Sequence, residues 1–273
     1  MWLLVLSKIK LSEFQKTMVK LLDKKVVLIT GASSGIGQAC ARIFAQKKYS
    51  LAIGARRIDR INTLSEELIA LGAPQVYAEY LDVTNTGSIE RFYSGFQKSF
   101  EQLDVLINNA GGALGLEHIV DGDPQQWKTM LDTNVMGVLL ICKTFLPTMI
   151  AAKTGQVINI GSIAGHVVYE NGAAYCASKH ALTAISRTLK LELNEHNIRV
   201  TSVDPGMVET EFSLVRLRDE EKAKKVYQGL KPLSAEDIAE CVFFAADRPK
   251  HVNIDEIIVT PIAQASVYKV KRE

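Results

Sequence analysis

Val26-Val-Leu-Ile-Thr30-Gly-Ala-Ser-Ser-Gly-Ile-Gly37 is a short apolar run that ends abruptly in a glycine-rich turn. A continuous aliphatic stretch of this length reads as a strand buried on both faces. Gly31, Gly35 and Gly37 permit a tight turn, close approach of backbone to a ligand, and close packing of the next helix on the strand. The N-terminus of that helix would present free N–H groups and a positive dipole end, the surroundings a pyrophosphate prefers. Ser33, Ser34 and Ile36 complete the expected contact loop.

Outward from this stretch, apolar segments and amphipathic ones alternate to the end of the chain. Strands are predicted at Val26–Thr30, Ser50–Gly54, Gln75–Tyr80, Val105–Asn108, Gln156–Ile160, Arg199–Val203 and Glu256–Thr260. Helices are predicted near Gly35–Lys48, Ile58–Leu71, Gly87–Gln102, Gln125–Ala152, Ala173–Glu195 and Ala235–Asp247. Such alternation means right-handed βαβ units and a parallel sheet covered on both faces. The expected fold is α/β: one doubly wound, Rossmann-type domain of about seven strands over residues 25–273, preceded by an arm at 1–24.

With 273 residues, 47% hydrophobic and 23% charged, the chain has the composition of a globular domain with a large core. A net charge of +2 with no long basic run argues against nucleic acid as a partner. Cys40, Cys142, Cys176 and Cys241 are scattered, with no metal-ligand spacing, and read as free thiols in a reducing, cytoplasmic setting. Met1-Trp-Leu-Leu-Val-Leu6 is interrupted by Ser7, Lys8 and Lys10. It is too short to span a membrane and lacks the pattern of a secretion signal. The arm is expected to pack on the domain or on a partner subunit, with shallow membrane contact as the alternative.

The end of the second strand bears on cofactor choice. An NAD site places a carboxylate there for the ribose 2′-hydroxyl. This chain has Gly54-Ala55-Arg56-Arg57, and guanidinium groups bind a 2′-phosphate instead, so NADP is the expected cofactor. Asp82 and Val83 end the third strand; Asp82 suits either an adenine amine or the cap of the next helix. Asn108-Asn109-Ala110-Gly111 ends the fourth, where small residues allow a flat ligand to lie close.

The fifth strand ends in Ile160-Gly-Ser162, and Tyr175-Cys-Ala-Ser-Lys179 follows thirteen positions after Ser162. In a helix, a phenol and an ammonium at i and i+4 share one face. A nearby Lys⁺ favours phenolate, so Lys179 is expected to lower the pKa of Tyr175 and fit it for proton transfer near neutral pH.

Together, Thr30–Gly37, Asn108–Gly111, Asn134, Ser162, Tyr175–Lys179 and Pro205-Gly206 resemble the short-chain dehydrogenase/reductase family over about Lys25 to Thr260. The resemblance implies that Tyr175 exchanges a proton with the substrate oxygen, Ser162 orients that oxygen, and Lys179 holds the nicotinamide ribose. It also implies that Asn134 holds a water linking Lys179 to solvent. Pro205, Gly206, Val208 and Thr210 would seat the nicotinamide carboxamide and a phosphate. Phe212–Tyr227 corresponds to a lid, and the two long helices to faces through which members form homotetramers or dimers.

Within the family, Ala55-Arg-Arg57, Asn109–Gly115 and Gly206–Arg216 most resemble NADP-dependent 3-hydroxy acid dehydrogenases. Arg216 would then either bind a substrate carboxylate or pair with Glu209 or Asp219 on an exposed lid. Serine and 3-hydroxypropanoate are the expected substrates. A reductase of bulkier steroid-like ketones and a non-catalytic NADP(H) sensor are the competing readings. His166 is read as loop or a substrate contact and His180 as core or surface; Glu209 and Glu211 are expected in solvent, with closure of the lid as their alternative role.

Overall fold

The computed structural model describes residues 25–273; the arm expected at residues 1–24 lies outside them. Seven strands form one parallel sheet in the order β3-β2-β1-β4-β5-β6-β7. They are β1 (Val26–Thr30), β2 (Ser50–Ala55), β3 (Val76–Tyr80), β4 (Val105–Asn108), β5 (Gly155–Ile160), β6 (Ile198–Pro205) and β7 (Glu256–Val259). The principal helices are α1 (Gly35–Gln46), α2 (Ile58–Ala70), α3 (Thr86–Ser99), α4 (Pro124–Leu131), α5 (Gly137–Ala152) and α6 (Ala173–Leu193). After β6 come α7 (Phe212–Leu217), α8 (Glu220–Tyr227) and α9 (Ala235–Ala246).

Side-chain alternation along β1 explains the two helical layers. Val27 and Ile29 face one core, which α1, α2 and α9 close with Phe44, Leu64, Ile238 and Val242. Val26 and Leu28 face the other, closed by Phe92, Phe96, Phe145 and Leu182 from α3, α5 and α6. Asn85 caps α3 by accepting from Ser88 N at 2.8 Å. Ser234 and Asp237 form a reciprocal capping box on α9.

The long helix expected at Gln125–Ala152 is interrupted: a π turn at Asp132–Met136 joins α4 to α5. Pro124–Ala152 is apolar and long enough to cross a membrane by length and composition, yet Met130, Val138, Ile141, Phe145 and Met149 are buried in the domain. The sheet reverses direction of winding between β1 and β4, and the carboxyl ends of these strands open the crevice where such sheets bind ligands.

Candidate active site

At the crevice, β1 and β4 are stitched together by one hydroxyl. Thr30 Oγ1 accepts from the backbone N–H groups of Asn109 and Ala110, both at 3.0 Å. Asn109 returns the contact, donating through Nδ2 to the carbonyls of Thr30 at 3.0 Å and Gly31 at 3.1 Å. Gly31 adopts φ +67°, and a Cβ there would come within 2.8 Å of Ala110 Cα. At Gly37 a side chain would collide with the Asn109 amide. Gly31 and Gly37 therefore tolerate glycine alone, and the N–H groups at the start of α1 fit a pyrophosphate. Ile36 packs its side chain on the core below.

Of the two arginines expected to hold a 2′-phosphate, Arg57 stands at the glycine loop. Arg57 donates from Nε to Ser33 Oγ at 3.1 Å and from Nη2 to Ser34 Oγ at 2.6 Å. Its companion is Arg60, since Arg57 and Arg60 both hold Glu211, at 2.7 Å each. Arg56 is exposed and lies outside this cluster. Because α2 starts at Ile58, Arg57 and Arg60 fall three apart on one helical face. The same cluster corrects the expectation for Glu211, which is not free in solvent; hydrogen bonds from both guanidiniums pull its pKa below the usual range. Asp82 does not cap the helix after it, a role Asn85 takes. It accepts instead from Thr84 N at 3.0 Å and Thr84 Oγ1 at 2.8 Å, within its own turn. Val83 packs where a side chain at Gly137 would stand.

Strand β5 and helix α6 bring Ser162, Tyr175 and Lys179 together. Lys179 is 7% exposed and donates from Nζ to Ile160 O at 2.9 Å, and its Nζ lies 5.9 Å from the Tyr175 ring centroid. Ser162 Oγ accepts from Ala164 N at 3.1 Å, turning the chain into a short 3-10 segment. Contrary to expectation, burial and not Lys179 dominates the titration of Tyr175. Desolvation pushes the phenol up to about 12, with Ser162 the leading opposing influence. Burial likewise lowers Lys179 to about 8, partly offset by the charge of Asp204. Each buried group favours its neutral form because the low-dielectric surroundings penalise either charge.

Asn134 sits in the π turn, 1% exposed. Its Oδ1 accepts from Gly112 N at 2.9 Å, and its Nδ2 donates to Gly112 O at 2.9 Å and Ser178 Oγ at 3.0 Å. Its side chain thus fixes the Gly111-Gly112 strand end against α6, one residue from Lys179. π turns disturb the helical ladder and recur at functional sites. Gly206 abuts Gln264, whose Oε1 accepts from Met207 N at 2.8 Å. Val208 pairs with Leu233, and Thr210 lies over Gly35 of the glycine loop.

A pocket beside Tyr175 is walled by Leu114, Trp127, Met130, Asn171 and Arg216. Arg216 does not pair with Glu209 or Asp219. Its Nε donates to Gly115 O and its Nη1 to Tyr169 Oη, both at 3.0 Å. The guanidinium carbon stands 5.6 Å from the Tyr169 ring and 5.5 Å from the Tyr175 ring. Its Nη2 has no hydrogen-bond partner among the described residues. Asn171 is held at φ +64°, with a buried Oδ1 that is also unpartnered among them. His166 is not among the residues walling this pocket: its Nε2 is 2.8 Å from Oδ2 of the fully buried Asp204. Sequence spacing offered no signal for that contact, which depends on β5 and β6 lying side by side. His180 Nδ1 lies 2.9 Å from Cys176 O on the helix.

The fold is shared with known proteins. A family model described as short chain dehydrogenase matches residues 25–226. An NADP-dependent 3-hydroxy acid dehydrogenase of Schizosaccharomyces pombe is 40% identical over 254 residues, covering 92% of this chain and 98% of that protein. Sulfoacetaldehyde reductase 2 of Chromohalobacter salexigens is 39% identical over 251 residues, covering 91% and 99%. The closed form of serine dehydrogenase complexed with NADP+ superimposes with a TM-score of 0.85 at 36% identity, covering 91% of this chain and all of that one. With the glycine loop, the seven-stranded order and the Ser162–Tyr175–Lys179 cluster in place, the chain belongs to the short-chain dehydrogenase family of oxidoreductases.

Proposed function

We propose that this oxidoreductase uses NADP(H) to interconvert a small 3-hydroxy acid and its carbonyl form, with serine and 3-hydroxypropanoate as the first candidates. The observation that carries the substrate class is Arg216. A guanidinium lodged between Tyr169 and Tyr175, with Nη2 to spare, is a receptor for a small anion beside the reacting phenol. The names of the similar proteins agree, since a hydroxy acid, serine and sulfoacetaldehyde all carry an acidic group close to the reacting carbon. Asn171 Oδ1 adds a buried acceptor for a donor on the substrate, such as the ammonium of serine. Trp127 and Met130 among the pocket walls support a short substrate over a steroid-sized ketone.

The residues at the crevice fit NADP(H): glycine cradles that a Cβ would fill, and a donor set of Ser33, Ser34, Arg57 and Arg60 for a 2′-phosphate. When bound, the nicotinamide supplies hydride transfer at its C4. Tyr175 gives the proton to the carbonyl oxygen in reduction and accepts it from the hydroxyl in oxidation. Ser162 orients that oxygen by a hydrogen bond. Lys179 holds the nicotinamide ribose, and Asn134 lines the water path to Lys179. Pro205, Gly206, Val208 and Thr210 form the far wall of the cofactor site.

The exposed apolar residues Leu131, Met136 and Leu139 on α4–α5 and Leu191 on α6 support a homo-oligomer, tetramer or dimer, built through these helices. Free thiols at Cys40, Cys142, Cys176 and Cys241 support a cytoplasmic location. The deciding experiment measures NADP+ and NAD+ reduction with serine, 3-hydroxypropanoate and their uncharged alcohol analogues. Turnover confined to the acids with NADP+ supports the reading, and preference for uncharged alcohols or for NAD+ refutes it.

A further inference from the structure

Arg57, braced on Ser33 and Ser34, and Arg60 converge on one anion, and in this structure that anion is the carboxylate of Glu211. Oε2 contacts Arg57 Nη1 and Oε1 contacts Arg60 Nη1, both at 2.7 Å. Its neighbours in sequence complete the cover over the cleft. Thr210 lies against Gly35, where a built Cβ would stand 3.3 Å from it. Phe212 sets its ring edge on Tyr175, with centroids 5.7 Å apart. Three successive residues thus lie on the glycine loop, the phosphate arginines and the catalytic phenol.

We propose that Glu211 determines cofactor specificity by displacement: it fills the arginine seat in the free enzyme, and a cofactor must carry a 2′-phosphate to remove it and lift Phe212 from Tyr175. The inference rests on NADP(H) being the cofactor. A phosphate monoester carries up to about two negative charges and three acceptor oxygens. It outcompetes a carboxylate for the same guanidiniums. A ribose 2′-hydroxyl brings no charge, so NAD leaves Glu211 in place and the lid down. Discrimination then resides in lid position as well as in contact energy. Linkage requires that whatever holds Glu211 down is subtracted from the affinity for the phosphate. Side-chain exposures of 44% for Arg57, 49% for Arg60 and 40% for Glu211 keep the latch weak enough for a ligand to open.

The test uses the full chain, its Glu211→Gln variant and Glu209→Gln, which removes an equal charge two positions away without touching either arginine. Calorimetry with adenosine 2′,5′-bisphosphate should show about three- to tenfold tighter binding to Glu211→Gln, the range exposed ion pairs command. Glu209→Gln should bind like the wild type. Amide exchange over residues 212–217 should accelerate in the wild type with the bisphosphate but not with 5′-AMP, and be fast in Glu211→Gln without ligand. Equal tightening in both variants, or exchange indifferent to the bisphosphate, overturns the latch. Failure of the wild type to bind the bisphosphate at all would overturn the NADP(H) reading and the latch with it.

Discussion

Lys179 Nζ stands over the Tyr175 ring, 5.9 Å from its centroid, while donating to Ile160 O at 2.9 Å, so the ammonium is anchored to β5 beside the phenol. Unfolded, Lys179 keeps its proton to about 10.5; folded, it does so only to about 8. Above about pH 8 the unfolded chain therefore binds more protons, and stability rises with pH until the unfolded lysine also titrates. Below that window the burial cost is felt in full. Lys179→Met should stabilise the cofactor-free protein at pH 7, by up to about 3 kcal/mol, and flatten the rise. Urea denaturation of both proteins between pH 7 and 10 reads the difference. A parallel slope in the variant would assign the rise to other groups.

Asp204 bears on the same titration. It is fully buried, accepts from Ser202 Oγ at 2.6 Å, and its charge supports protonation of Lys179. Asp204→Asn should lower the Lys179 pKa further and extend the stability rise to more acidic pH. Glu256→Gln, at an exposed pair with Arg187, should leave the curve unmoved.

Tyr175→Phe should retain the fold, because the ring keeps its edge contact with Phe212 and only the hydroxyl is lost. Loss of a general acid and base costs about 10²- to 10⁴-fold in rate. Because burial raises the phenol to about 12, it stays protonated at neutral pH in the free enzyme and serves as an acid at once. Reduction should thus be near its plateau at pH 7, while oxidation, which needs the proton gone, should gain with rising pH. Initial rates in both directions from pH 6 to 10 test this, and a flat oxidation profile would contradict it.

Most of this was legible because it is local. The strand–glycine–helix stretch at Val26–Gly37 and the i, i+4 pair at Tyr175 and Lys179 follow from backbone periodicity alone. What was missed is long-range. Arg60 joins Arg57 only through Glu211, 151 residues further along the chain. Glu211 is 154 residues from Arg57 in sequence, and Asp204 is 38 from His166, so no periodicity could pair them. The phenol's direction of shift also went unread, since side-chain spacing records the neighbouring charge but not the depth of burial.

Phe145 offers a test of the second core layer. It is fully buried and meets Phe92, Tyr93 and Phe96 at centroid distances of 6.4, 5.1 and 5.4 Å. Phe145→Ala opens a cavity between α3 and α5, at about 3–5 kcal/mol. Thermal denaturation should show a fall of several degrees, with the Michaelis constants little changed in whatever fraction remains folded.

Arg216 supplies the sharpest test of substrate choice. Its Nε and Nη1 are committed to Gly115 O and Tyr169 Oη, so the guanidinium is held in place before any substrate arrives. A preset fork can receive a carboxylate through Nη2 without spending side-chain entropy. Hydrogen bonds to charged groups contribute about 1.5–3 kcal/mol, or roughly 10- to 150-fold. Arg216→Ala should raise KM for 3-hydroxypropanoate and serine by that factor and leave KM for the corresponding uncharged alcohols nearly unchanged. Arg216→Lys should recover little, because a point ammonium cannot hold Gly115, Tyr169 and a carboxylate at once. Steady-state kinetics on acid and alcohol pairs decides it: equal losses on both members of a pair would make Arg216 a prop for the lid and not a ligand for substrate.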